Sequence, residues 1–348
     1  MGHAISDKVT EAVAEMYSQY PYPLCGNHSD YISTWILPHL KSSGKTFHRI
    51  LDAGCGTGNI SIELAKTFPD AEVIGIDITD RSIKIAKKRA QKDTPNLSIQ
   101  KSNLMQYDPS LGVFDYIHCQ GVIHHLSSPE KGLKNLNSYI DDRGLLFIWL
   151  YMALGRQFIT ETREILSLLG VDALGYEERL ELLDLVQRHF RFLGSRGKLM
   201  KKPSEELMNK KVGSDHQLLS PFINGLQYLQ EYGWQLFLRR VGQKVFNKDN
   251  PSPGDDSLLR KVGLVDTYLH ANDVFYRFSE ACNLLSQNGF VLEQVVQGMS
   301  NTLKDCFGHD SPIVERAANL TPEQQYTLIE LCERPSGVGL LCSGGFSI

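Results

Sequence analysis

The spacing of apolar positions changes character along the chain. Between residues 49 and 150, short apolar runs alternate with segments of helical period. Strands are expected at 49–53, 72–77, 97–100, 113–119 and 144–150, and helices at 59–67, 80–92 and 129–140. The last run, Gly144-Leu145-Leu146-Phe147-Ile148-Trp149-Leu150, is apolar throughout, as suits a strand covered on both faces. Strands alternating with helices at this spacing predict an α/β fold with a doubly wound, mostly parallel sheet.

The flanks read differently. Val9, Ala12, Val13 and Met16 repeat at helical spacing and predict a helix over 5–20, with Ser6 or Asp7 as its N-cap. In Tyr17-Ser18-Gln19-Tyr20-Pro21-Tyr22-Pro23, two prolines then force an extended path, and a second helix is expected over Tyr31 to Leu40. Past residue 150 the rhythm breaks into amphipathic helices, among them Glu177 to Arg191 and Gly225 to Gln243. A charged linker, Lys198 to Lys211, and an exposed loop, Asn247 to Asp256, separate them. The alternation resumes with a helix over Asp273 to Gln287, stopped by Asn288-Gly289, and a strand over Phe290 to Val296. A helix from Thr321 to Glu333 behind a Thr-Pro-Glu start and a final strand over Gly339 to Phe346 complete the chain.

Composition narrows the function classes. The 348 residues suffice for one large domain or one domain with a substantial insertion. A net charge of -4 carries no global basic field, which argues against a nucleic-acid partner. Lys201, Lys202, Lys210 and Lys211 have no aromatic residues interleaved and read as a solvated face. Seven cysteines without a Cys-x-x-Cys pair argue against a structural zinc site and a secreted disulfide framework, so a reducing, cytoplasmic compartment is expected and no metal. The richest apolar run, Leu145 to Leu154, is too short to span a bilayer, and no signal-peptide pattern opens the sequence, so no membrane association is expected. Met1-Gly2 with Ser6 matches a loose myristoylation pattern, read here as chance.

The chemistry concentrates in Arg49-Ile50-Leu51-Asp52-Ala53-Gly54-Cys55-Gly56-Thr57-Gly58-Asn59. A strand ends, three alternate glycines turn the chain, and a helix begins. Without side chains, such a turn lets the backbone approach a cofactor closely. Glu72-Val73-Ile74-Gly75-Ile76-Asp77 is a second strand ending in an acid, about 20 residues on, where a ribose-binding carboxylate belongs. No Gly-Lys-Ser/Thr follows, which excludes a Walker phosphate loop, and NAD-binding turns usually read Gly-x-Gly-x-x-Gly without a leading acid-Ala-Gly-Cys.

Asp52 just before the glycines, with Asp77 ending the next strand, resembles the class I S-adenosylmethionine (SAM) dependent methyltransferases. The resemblance covers residues 49–150 and extends to 266–348. It implies a seven-stranded, mostly parallel sheet whose last strand is antiparallel. It also implies an N-terminal helical and aromatic lid over 1–45, a SAM-binding core over 46–150, and a helical insertion after the fifth strand over 151–265 that shapes the substrate site. Residues 266–348 would complete the sheet.

The same resemblance implies site residues. Gly54, Cys55, Gly56 and Gly58 would lie against the methionine end of SAM. Asp52 would accept a hydrogen bond from its amino group, directly or through water. Asp77 would accept both ribose hydroxyls, and Ile78 would lie along the adenine. Asn103, followed by Leu104, stands where relatives usually carry an acid for the adenine amino group, and its amide oxygen accepts without charge. Cys119-Gln120-Gly121-Val122-Ile123-His124-His125-Leu126 resembles the loop beside the transferred methyl in small-molecule members. It adds Gln120 to the cofactor set, His124 to the substrate site, and His125 as a candidate base. It lacks the Asn-Pro-Pro-Tyr of enzymes acting on base amino nitrogens.

Tyr17, Tyr20 and Tyr22 resemble a segment that precedes the core in bacterial members. As a lid they would bring Tyr17 and Tyr22 to the substrate and Tyr20 to the reacting atoms; the alternative is that they pin the first helix to the core. Asp266-Thr267-Tyr268-Leu269-His270 is similar to an Asp-x-x-Leu-His segment of the same relatives. Asp266 would orient His270 as a base, with Tyr268 near the acceptor, or the segment caps and packs. The expected reaction is in-line methyl transfer from SAM to an oxygen or nitrogen of a small metabolite or natural product. A protein or peptide side chain is the second reading and RNA the third; a SAM-binding sensor or complex subunit without turnover is the rival of another class. The apolar faces of the insertion leave a homodimer open.

Overall fold

The computed structural model describes residues 2–24, 30–90, 93–193, 198–201 and 256–344. The chain forms two compact units, one of Met1–Arg156 with His270–Ile348 and one of Gln157–Leu269.

The first unit is built on one seven-stranded sheet. Its strands are β1 (Arg49–Ala53), β2 (Glu72–Asp77), β3 (Leu97–Lys101), β4 (Phe114–Gln120), β5 (Ile140–Tyr151), β6 (Val291–Gln297) and β7 (Gly337–Ser343). They lie in the order β3-β2-β1-β4-β5-β7-β6. The first five are parallel, and β7 runs antiparallel to both of its neighbours, as the resemblance implied. Alternation along each strand sends residues to opposite faces. Leu51, Ala53, Ile117 and Ile148 join one apolar cluster with Leu133 and Leu136, from the helix Pro129–Tyr139, and with Ala281 and Leu285. Ile50, Val73, Tyr116 and Phe147 join another with Leu64, Ile32 and Ile36. Burial on both faces is why β1 and β5 read as continuous apolar runs.

Several expected boundaries move for tertiary reasons. The first helix, α1 (Gly2–Gln19), starts upstream of Ser6 and Asp7, so neither stands at its N-terminus. The helix expected over 31–40 is a π-helical turn, Ile32–Ile36, continued by a helix over Leu37–Ser42. The buried Glu63 carboxylate accepts from the amides of Ile32 (2.6 Å) and Ser33 (3.3 Å), which satisfies donors the turn leaves free. Glu63 belongs to α2 (Asn59–Thr67), and α3 (Asp80–Ala90) follows β2. β5 begins at Ile140, before the apolar run, and β7 begins at Gly337.

The largest correction falls on the helix expected from Asp273. It begins only at Phe278 and runs to Ser286 (α4 here), because the preceding backbone is paired elsewhere. Val274 N donates to His124 O (2.8 Å), Tyr276 N to Tyr151 O (3.0 Å), and Ala153 N to Tyr276 O (2.8 Å). Those bonds hold 272–277 extended along the end of β5 and outweigh local helical period. The helix Pro322–Glu333 is capped as expected, with Thr321 Oγ1 accepting from Gln324 N at 3.3 Å.

The second unit holds helices over Gln157–Leu168, Tyr176–His189 and Asp256–Tyr268, which bury Ile159, Leu166, Leu183, Val186, Val262 and Val265. Lys261 Nζ meets Glu177 Oε2 at 2.6 Å. An antiparallel ladder joins Phe190–Leu193 to Lys198–Lys201, so the helix expected to reach Arg191 stops at His189 and the charged linker begins as a strand. Asp256, expected in a loop, starts a helix. The helix expected over 225–243, the remainder of the linker and the loop over 247–255 lie outside the described residues. Among the described residues no helix is long and apolar enough to cross a membrane.

Candidate active site

The turn after β1 is fixed by three left-handed glycines, Gly54 (φ +81°), Gly56 (φ +53°) and Gly58 (φ +88°). A Cβ at Gly54 would stand 2.2 Å from Val122 Cγ2, and one at Gly56 would stand 2.5 Å from the Tyr22 carbonyl oxygen. The turn therefore needs glycine for its own conformation and because two other segments press on it: the loop after β4 and the Tyr-Pro segment. α3 clamps that segment in place. Arg89 Nη1 donates to Thr57 Oγ1 (2.6 Å) and Asn59 Oδ1 (2.9 Å), while its Nη2 reaches the Leu24 carbonyl. Arg81 Nη1 donates to the Ser18 carbonyl at 2.8 Å.

Two carboxylates face this turn, Asp52 buried and Asp77 half-buried. Asp52 accepts from Ser61 Oγ, and burial, aided by the charge of Asp77, pushes its carboxyl up to about 7. Asp77 Oδ2 accepts from Gly56 N at 3.0 Å, and its Oδ1 accepts from Thr79 N (2.8 Å) and Thr79 Oγ1 (2.7 Å). Burial raises this carboxyl too. Among the described residues neither acid has a cationic partner. Burial also raises the Cys55 thiol well above the usual range, which makes it an inert apolar wall. Ile78 is half-buried and Leu104 buried, and Asn103 Oδ1 accepts from Met105 N at 2.9 Å. Gln120 Oε1 accepts from Nε2 of the buried His118 at 3.1 Å. Tyr116 Oη sits 3.0 Å from the other ring nitrogen, and burial holds His118 neutral, down to about 4.

A second cluster forms beyond the loop after β4. The rings of His125 and His270 stack at 3.8 Å with 20° between planes. His125 Nδ1 lies 2.6 Å from Asp273 Oδ1 and 3.1 Å from the Asn272 carbonyl oxygen. His270 Nδ1 accepts from Asn272 N (3.1 Å) and lies 3.4 Å from Asp273 Oδ1, while its Nε2 is 3.1 Å from Tyr17 Oη. His124 is fully buried and stacks on Tyr151 at 3.8 Å. Burial, with the charges around it, pushes its pKa well below the usual range, and among the described residues neither ring nitrogen has a hydrogen-bond partner. His125, His270 and Asp273 are metal-ligating residue types with donor atoms within 4.8 Å of one another. Face-to-face stacking, however, runs the in-plane lone pairs of the two rings side by side. They do not converge on one point as the ligands of an ion must.

Residues 45–168 match the family described as a methyltransferase domain. This match spans the glycine turn, both acids and the loop after β4, on a seven-stranded sheet whose last strand is antiparallel, as the resemblance implied. Residues 45–168 are a SAM-dependent methyltransferase domain on the class I fold.

Among relatives of this chain, an uncharacterized protein of Synechococcus sp. is 36% identical over 184 residues, 49% of this chain and 44% of the relative. A ubiquinone biosynthesis O-methyltransferase of Coxiella burnetii is 29% identical over 119 residues, 32% of this chain and 50% of the relative. PKMT2 from Rickettsia typhi, solved in complex with AdoHcy, shares the fold at a TM-score of 0.58 and 18% identity, over 93% of this chain and 55% of that one. The chain thus spans about half the length of these proteins.

The methyltransferase fold brings Asp52, Asp77 and the glycines together at one end, and Tyr17, His124, His125 and His270 at the other. Tyr20 is half-buried just past α1, and Tyr22 is 44% exposed with its carbonyl against Gly56. Asp266 and Tyr268 belong to the second unit, and the carboxylate beside His270 within its own unit is Asp273. Sequence reasoning missed Asp273, Asn272, Arg81 and Arg89. Only Asp273 carried a signal, its place three residues after His270.

Proposed function

We propose that this chain transfers a methyl group from SAM to an oxygen or nitrogen of a small molecule. The observation that carries the reading is the pair of acids, buried Asp52 and half-buried Asp77, beside three left-handed glycines and, among the described residues, without a cation of their own. A buried carboxylate beside a second acid is costly unless a positive group joins them. SAM fits that donor set, since it brings an ammonium and a sulfonium, and when bound it supplies an electrophilic methyl carbon.

The chain's own groups do the rest. Asp52 takes the amino group and the glycine turn, with Cys55, takes the methionine end. Asp77 accepts three bonds from the protein, and since a carboxylate offers about four acceptor sites it keeps one, on Oδ2, for a ribose hydroxyl. Ile78 and Leu104 line the adenine, with Asn103 and Gln120 as its polar neighbours. Tyr17, Tyr20 and Tyr22 close the cleft from the N-terminal side and exclude water. His125 or His270 accepts the acceptor's proton, and His124 shapes the acceptor's surroundings. Burial of the three histidines suits an enclosed small acceptor. The ubiquinone biosynthesis O-methyltransferase relative lends the same support.

The test is incubation with methyl-labelled SAM and an extract of the source cells, split beforehand into small-molecule, protein and RNA fractions. Label in the small-molecule fraction is the expected result. Label in protein or RNA would overturn the acceptor class, and SAM binding without any transfer would put a non-catalytic SAM sensor ahead.

A further inference from the structure

Asp273 is a carboxylate that the cofactor cleft does not use. Its side chain is fully buried, on the extended segment ahead of α4, between two imidazoles. The two rings are not equivalent. At His270 both nitrogens are engaged: Nδ1 accepts from Asn272 N–H, so Nε2 carries the proton and meets Tyr17 Oη. At His125, Nδ1 faces two oxygens and no donor. Its N–H aligns with the Asn272 carbonyl at 3.1 Å, and Asp273 Oδ1, nearer at 2.6 Å but off that line, supplies charge. The proton of neutral His125 therefore sits on Nδ1, and Nε2, which meets no partner among the described residues, keeps its lone pair.

We propose that Asp273 is a positioning carboxylate that, with the Asn272 carbonyl, sets His125 as the proton acceptor of the methyl-transfer site, while His270 and Tyr17 form the wall that holds the ring. This rests on the reading given under Proposed function. In the step, the acceptor's O–H or N–H bond breaks, its electron pair stays on the acceptor, and the proton goes to Nε2 of His125. An imidazolium results, stacked on neutral His270 and paired in charge with Asp273; water takes the proton when product leaves. The other groups facing His125 among the described residues are His124, Tyr151 and Tyr17, and none brings a competing positive charge in the neutral ring forms assigned here.

The experiment is an imidazole proton–nitrogen correlation spectrum of the full chain carrying nitrogen-15 histidine, for wild type, Asp273→Asn and Asp273→Glu. Wild type is expected to show His125 in the Nδ1–H form. Asp273→Asn offers an amide donor to Nδ1 and is expected to move His125 toward the Nε2–H form, with Asp273→Glu returning it. In the labelled-SAM assay, Asp273→Asn is expected to lose about 100-fold in transfer while binding SAM within about twofold of wild type, and Asp273→Glu to recover a measurable part. An Nε2–H His125 in wild type, or wild-type transfer by Asp273→Asn, would overturn the proposal. Should Asp273→Asn fail to fold, the wild-type and Asp273→Glu spectra decide. A wild-type chain that binds no SAM would sink the functional reading and leave the spectra to judge Asp273 alone.

Discussion

At the glycine end, the groups proposed to meet the methionine and ribose of a cofactor come from one local stretch: Asp52, Gly54, Gly56 and Gly58, and the strand that ends in Asp77. At the histidine end, Tyr17 meets His270 across 253 positions, and His125 meets Asn272 across 147. The first end is a strand–turn–helix–strand geometry that neighbouring residues dictate, with two acids that have no counter-charge among the described residues. The second is imidazoles gathered around one acid, and it exists only once the N-terminal helix, the loop after β4 and the segment ahead of α4 are in place. A cofactor end built locally can bind alone, whereas an acceptor end assembled at long range can fail separately.

The sharpest way to break the comparison is at Gly56. Gly56→Ala puts a Cβ against the Tyr22 carbonyl and demands a left-handed alanine. It should cost about 2 kcal/mol or more in folding stability and about 100-fold in SAM affinity, read by thermal unfolding and calorimetry. His125→Ala strikes the other end. Transfer from labelled SAM should fall by about 100-fold, the usual scale for a lost proton acceptor.

Proton linkage sharpens the cofactor end. Burial, with the charge of Asp77 nearby, holds the Asp52 carboxyl up at about 7, above the usual carboxylate range. In the free protein this term favours folding below the usual carboxylate pKa and is lost as pH rises through about 7. The ammonium of SAM prefers the ionised carboxylate, so binding below that pH must expel a proton. SAM affinity should rise about tenfold from pH 6 to pH 8, and Asp52→Asn should flatten the dependence; both are read by calorimetry. The smallest effect belongs to Tyr17→Phe, which removes the phenol at His270 Nε2. Transfer should drop about fivefold, in line with one neutral hydrogen bond, with SAM affinity unchanged.

The same division decides what was legible in the sequence. The five strands and the glycine turn follow from apolar runs and local turns; β1 and β2 stand at the expected bounds, whereas β5 starts at Ile140, ahead of its apolar run. Asp273 was hidden because residues 273–287 carry a helical period. The pairing of 274 and 276 with 124 and 151 overrides it, a long-range bond that no local window contains. Arg81 and Arg89 carry no local signal, because the carbonyls they grip, of Ser18 and Leu24, lie more than sixty positions away. The ladder of Phe190–Leu193 with Lys198–Lys201 escaped for the same reason: an abundance of charge masked a pairing.

The measurement that tests the separation most directly is a calorimetric titration of SAM into the full-length His125→Ala protein beside wild type. Equal affinity within about twofold is predicted, since the glycine end holds the cofactor by itself. Loss of SAM binding in a folded His125→Ala protein would contradict the account, because the two ends would then be one site.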